Sequence, residues 1–190
     1  MSIRLLKGPF TVEDYHRLAE VGILGEDERV ELLDGQIVEM TPIGSRHAGC
    51  VNHVTQLLYR ELGETVILGV QNPVVLGPHS EPQPDIAVLK PRPDAYRGAH
   101  PGPAEVLLVI EVADTSLEFD REVKLPRYAA AGIPEAWLVD LEHEAIEVHR
   151  EPSPQGYRQV RTVRRGETLT PLAVPGGSIS VEEVLGPRSE

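Results

Sequence analysis

Two carboxylates stand where the chain is otherwise building strand. Asp85 follows Pro84 at the head of "PDIAVLKP", and Glu111 interrupts the apolar run "AEVLLVIEVA". A buried, unpaired carboxylate costs on the order of several kcal/mol, so an acid in such a run needs a counter-charge. Two acids brought together also repel each other, and one tends to protonate unless a cation holds both ionised. Hard oxygen donors without a cysteine cluster point to Mg²⁺ or Mn²⁺ and away from Zn²⁺. Such an ion polarises a phosphoryl oxygen and lowers the pKa of a bound water. Lys124, on the helix expected after the Glu111 strand, is placed to orient that water or to stabilise transition-state charge. These parts suit phosphodiester hydrolysis.

Each residue also has a plainer reading. Asp85 after a proline is an ordinary strand-start residue. Lys124 stands four residues after Asp120, the spacing of an exposed helix ion pair. Glu111 is harder to dismiss, because glutamate is seldom fully buried without a partner. His47 and His53 share one expected helix but lack the i,i+4 spacing of a zinc-binding pair, so they read as structural or peripheral. His47, near the helix start, is the lesser candidate to line a site. Cys50 reads as a small core residue, Asp140 as a strand end, and Trp137, Leu138 and Val139 as core.

The elements that must position these groups follow from local pattern. "FTVEDYHRLAEVGIL" reads as a helix capped by Thr11, with Asp14 in its first turn. "RVELLDGQIVEM" alternates around Asp34-Gly35 and reads as a hairpin. "SRHAGCVNHVTQLLYRELG" is an amphipathic helix stopped by Gly63. "ETVILGVQNPVVL" is one bent strand or two, followed by strands at "PDIAVLKP" and "AEVLLVIEVA". "SLEFDREVKLPRYAAAG" is a helix, with Pro126 as a kink point. "PEAWLVDLEHEAIEVHRE" is a strand pair turning near Glu142. The tail adds β structure, then "SISVEEVLG" with Ser180 and Glu183 as a capping box. The order predicts a mixed sheet with helices packed on it, α/β or α+β.

Composition narrows the class. The 190 residues suit one domain, with 41% hydrophobic residues, enough for a proper core. Its single cysteine, Cys50, allows no intrachain disulfide framework and fits a reducing compartment. No stretch has the length of a membrane span, and "MSIRLLKGPF" lacks the apolar core of a secretory signal. A soluble, cytoplasmic protein is the expectation. The net charge of −12 opposes nonspecific attraction to nucleic acid. "RQVRTVRR" (158–165) reads as the solvated face of a hairpin strand rather than a nucleic-acid patch.

"VELLDGQIVEM", "PQPDIAVL", "LLVIEVADTS" and "DREVKLPRYAAAGIPEAWLVD" together resemble the Uma-two family of bacterial endonuclease-like proteins, long catalogued as a domain of unknown function. That family is a branch of the PD-(D/E)XK superfamily. The resemblance implies a restriction-endonuclease-like fold over residues 1–190, with a core at about 10–150 and a C-terminal β extension over 151–190. It implies Asp85 and Glu111 as metal ligands, the Val112 carbonyl as a third, and Glu31 as an early glutamate completing the site. By residue type alone Glu31 reads equally as a solvent-facing acid of a hairpin. Glu111-Val112-Ala113 departs from the superfamily signature, since alanine replaces the expected lysine. Residues 111 and 113 share a face of a strand, and Lys124 is the residue able to fill that gap from the next helix.

The reading that results is a Mg²⁺- or Mn²⁺-dependent endonuclease acting on nucleic acid, with DNA the expected substrate. A homodimer is implied by analogy with the superfamily. The competing readings are a catalytically inactive nuclease-fold module that binds nucleic acid or protein, and a hydrolase of smaller phosphate esters.

Overall fold

A computed structural model describes residues 8–25, 27–173 and 177–187. Most of the opening segment, read above for a secretory signal, lies outside them. Helix α1 (Val12–Glu20) begins where Thr11 and Asp14 form a reciprocal capping box. Strands β1 (Val30–Leu33) and β2 (Gln36–Glu39) make a hairpin. Asp34 and Gly35 both have positive φ there, as a two-residue turn of this hand requires. Helix α2 (Ser45–Leu62) ends at Gly63, and it buries Val51, Val54, Leu57, Leu58 and Leu62 along one stripe.

The main sheet has six strands in the order β3-β4-β5-β6-β7-β8. They are β3 (Ile67–Val70), β4 (Ile86–Leu89), β5 (Val106–Ala113), β6 (Glu135–Asp140), β7 (Ala145–Ser153) and β8 (Gly156–Arg164). Only the β5–β6 pairing in this sheet is parallel. A parallel pair needs a crossover, and the chain supplies it with α3 (Leu117–Phe119), a π turn (Asp120–Lys124) and α4 (Leu125–Ala130). The crossover must lie on one face of the sheet, and that requirement carries Lys124 over β5. Strands β9 (Thr168–Leu169) and β10 (Ile179–Ser180) pair separately, and α5 (Val181–Leu185) follows with the Ser180–Glu183 capping box.

The sheet is covered on both faces. Leu108, Ile110 and Val112 of β5 pack with the α2 stripe and Trp137. Val109 and Ala113 pack on the opposite side with Leu125 and Tyr128 of the crossover. Strands buried on both faces read as nearly continuous apolar runs, which is what "VLLVIEVA" is.

Two elements differ from the sequence expectation. "ETVILGVQNPVVL" yields only β3, because Gln71 turns left-handed at φ 52°. Beyond it Val74, Val75 and Leu76 donate to the carbonyls of Pro82, Pro101 and Ser80 instead of to a ladder. The helix around Lys124 is not one smooth cylinder. Pro126 has no N–H to donate, and its ring crowds the carbonyl four residues back. The turn ahead of it widens, so that the Leu125 N–H reaches the Asp120 carbonyl, five residues back. The "RQVRTVRR" segment lies largely on β8, an edge strand whose residues from Arg158 to Thr162 are exposed or nearly so. Charged edges of this kind discourage strand addition.

On the crossover face, toward the β8 edge, one buried histidine makes the packing testable. His149 is buried beside Tyr157 and bonded to Glu147 at 3.0 Å. Burial holds its ring below the ordinary histidine value, against the pull of Glu147. The unfolded chain therefore takes up a proton near pH 6.5 that the folded chain still refuses. His149's contribution to stability is present above that pH and is lost as pH falls through the folded value. Urea midpoints measured from pH 7.5 to 5.5 should fall more steeply for the wild type than for His149→Gln. Parallel curves would contradict this account.

Candidate active site

The structure brings four sequence-predicted residues to one end of β4 and β5. Asp85 stands immediately before β4, where Pro84 interrupts the ladder. Its Oδ2 accepts the Val112 N–H at 2.8 Å, so the side chain satisfies an amide of β5. The Asp85 N–H in turn lies 3.4 Å from Glu111 Oε2. Glu111 points to the crossover face, where its Oε1 accepts from the Tyr128 hydroxyl at 2.6 Å and from Lys124 Nζ at 3.2 Å. Lys124 Nζ also lies 3.4 Å from Glu31 Oε2, and Glu31 accepts the Gln83 N–H at 3.0 Å. All four are buried, Glu31 at 1% exposure and Glu111 at 2%.

These contacts remove the plainer readings of two residues. Glu31 does not face solvent from its hairpin, and Lys124 does not sit on an exposed face paired with Asp120. Glu111 and Ala113 share one face of β5, and Lys124 reaches that face to meet Glu111. Val112 contributes its N–H to Asp85.

Histidine 47 corrects the reading given above, because it is not peripheral. Its Nε2 lies 3.0 Å from Asp85 Oδ2, and its Nδ1 is buried with no hydrogen-bond partner among the described residues. The first turn of α2 aims it at the site. His53 remains exposed, while Cys50 is buried in the core as expected. Sequence reasoning also missed Tyr128, Gln71 and Gln83. Gln71 Nε2 reaches Asp85 Oδ1 at 3.3 Å. A buried tyrosine needs a partner for its hydroxyl, and that need was a usable signal for Tyr128; nothing in the local sequence marked the two glutamines.

The electrostatics follow from burial. Burial pushes the Glu111 carboxyl up to about 8, although Lys124 and Tyr128 pull it down. Asp120, bonded to Ser116, is likewise pushed up by burial to about 6. Burial acts on Asp85 in the same direction, but the His47 ring, the Val112 N–H and Lys124 outweigh it and hold Asp85 below the usual carboxylate value. Burial pushes Lys124 down, and the surrounding acids more than reverse it, so the ammonium stays protonated. Three buried carboxyl groups, Asp85, Glu111 and Glu31, thus stand around one buried ammonium, Lys124. The oxygen donors present, carboxylates and a main-chain carbonyl, are those Mg²⁺ and Mn²⁺ accept. Asp85, Glu111 and Glu31 do not offer three ligand atoms within 4.8 Å of one another; the tight three-ligand group among the described residues is a different one.

The family model described as "Putative restriction endonuclease", Uma2, matches residues 12–182. The chain belongs to the Uma2 family. A crystal structure from Anabaena variabilis, titled a putative nuclease belonging to DUF820, superposes with a TM-score of 0.71 at 16% identity, covering 93% of this chain and 98% of that one. Comparison with curated protein sequences returned no match. The Uma2 chain thus has the restriction-endonuclease-like fold: a mixed sheet flanked by helices, with Asp85 and Glu111 at the shared end of two central strands. Among the described residues no helix is long and apolar enough to cross a membrane.

Proposed function

We propose that this chain is a divalent-metal-dependent endonuclease that hydrolyses phosphodiester bonds in DNA. One observation carries the reading: Lys124, from the crossover, meets Glu111 and Glu31 at 3.2 and 3.4 Å on the face beside Ala113. In this reading Lys124, from a different element, stands in for the lysine missing from the Glu111-Val112-Ala113 run.

In this reading Asp85, Glu111 and the Val112 carbonyl hold Mg²⁺ or Mn²⁺, with Glu31 supporting them directly or through water. The bound ion supplies Lewis acidity and a water of lowered pKa. The chain's own residues do the rest. Lys124 is protonated and serves as a hydrogen-bond donor to the attacking water or the phosphoryl oxygens, not as a base. Tyr128 and Lys124 fix the orientation of Glu111. His47, Gln71 and the Val112 N–H fix Asp85. Hydrolysis joins the water oxygen to phosphorus with loss of a proton from that water, and breaks the bond to the leaving deoxyribose oxygen, which takes up a proton. A homodimer cutting both strands is compatible with this chemistry.

The test is plasmid cleavage by the full chain with Mg²⁺ or Mn²⁺. Nicked or linear product should appear with either ion and cease on chelation. Cleavage that survives chelation, or that is equal in Asp85→Ala and Glu111→Ala, would belong to a contaminant and end the proposal. Absence of cleavage with either ion would also overturn it, in favour of a binding module on a nuclease fold.

A further inference from the structure

A second group of potential ligands lies outside the site described above. His16 of α1, Glu81 of the segment before β4, and His100 of the loop between β4 and β5 each present one ligand atom, all within 4.8 Å of one another. His16 Nε2 is 2.9 Å from both Glu81 oxygens, and the His16 and His100 rings stand edge to face at 6.1 Å. Glu81 is only 2% exposed. Its backbone is held to Leu32 by bonds in both directions, which fixes the carboxylate in place. His16 is half-buried and His100 exposed, and this leaves an entry path for an ion.

The mechanical setting points the same way. Helix α1 has no buried residue, so apolar packing does little to hold it. It is tied down by the Val12 N–H to the Pro78 carbonyl, by the Tyr15 hydroxyl to the Val30 carbonyl, and by the His16–Glu81 contact. Metal clips of this kind stabilise segments that bury too little surface to hold themselves.

We propose that His16, Glu81 and His100 bind Zn²⁺, which clamps α1 to the chain ahead of β4. Two imidazoles and one carboxylate are a donor set zinc accepts, with a fourth position open to water. Mixed nitrogen and oxygen donors distinguish this site from the all-oxygen acidic site, which suits Mg²⁺ or Mn²⁺. Bonds of about 2.0–2.2 Å place tetrahedral ligand atoms roughly 3.4 Å apart. The His16–Glu81 pair is already closer than that, and the exposed His100 ring is free to close the remainder by side-chain rotation. The site does not depend on the nuclease reading.

The experiment uses the full chain carrying Asp85→Asn and Glu111→Gln, which keep the hydrogen bonds to Val112 and Tyr128 while removing the anionic ligands of the acidic site. It is stripped with a chelator and titrated calorimetrically with Zn²⁺. One equivalent should bind, and Zn²⁺ should raise the melting temperature. Adding His16→Gln or His100→Ala should weaken binding by about tenfold or more and abolish the thermal shift, as loss of one of three ligands requires. His100 is exposed, so its substitution leaves the fold intact and isolates the ligand role. No Zn²⁺ binding by the parent, or equal binding after His100→Ala, would overturn the proposal and leave His16–Glu81 as a simple hydrogen-bonded pair.

Discussion

Replacing Lys124 with methionine should lower stability by about 3–5 kcal/mol, the range for breaking a buried ion pair by removing one partner. For a chain of this length that is a fall of roughly 6–20 °C in melting temperature. The reason is specific to the site. Lys124 is the cation that touches both Glu111 and Glu31, and all three side chains are buried. Without it two carboxylates face each other in a site that already pushes Glu111 up to about 8. Well above pH 8, where Glu111 is forced to ionise, the double variant Lys124→Met/Glu111→Gln should be more stable than Lys124→Met alone, because the second change removes one of the orphaned charges. Cleavage by Lys124→Met should also fall, with metal binding retained. A Lys124→Met protein as stable as wild type would mean that the ammonium does not neutralise these acids.

Asp85→Asn should separate the structural duty of this residue from its proposed chemical one. Asp85 Oδ2 accepts the Val112 N–H, and an asparagine oxygen is able to do the same. Stability should therefore change by less than it does in Asp85→Ala, which strands a buried amide at a cost of about 1–3 kcal/mol. The amide cannot replace an anionic ligand, however. In the proposed mechanism several kcal/mol of transition-state stabilisation would rest on the bound ion, so cleavage by Asp85→Asn should drop by about 10³-fold or more. Thermal melts and plasmid cleavage on the same preparations measure both effects. An Asp85→Asn enzyme with wild-type turnover would remove Asp85 from the metal site.

These two residues also show how unevenly the sequence speaks. Element identities were legible because their signals are local. Thr11 with Asp14, Asp34-Gly35, Gly63, and Ser180 with Glu183 each mark a boundary within a few residues, and the structure uses every one of them. The chemistry-bearing acids stood out because carboxylates are expensive in apolar runs, an argument that needs no coordinates. The departure at Ala113 was visible too, as was the candidate to fill it.

Only the tertiary structure decided which of the open readings held. Lys124 on an exposed helix face and Lys124 over β5 have the same spacing from Asp120; the parallel β5–β6 pairing, which forces the crossover onto one face, selects the second. His47 looked peripheral because no neighbour in sequence pairs with it, and it meets Asp85 only because α2 packs against the end of β4. The group of His16, Glu81 and His100 had no sequence signature, since its first pair is separated by 65 positions. What the sequence determined by itself was the set of elements and the presence of two acids in need of a counter-charge, both consequences of local pattern and desolvation. Which side chains answer that need depended on contacts between segments distant in the chain, and only packing brings those together.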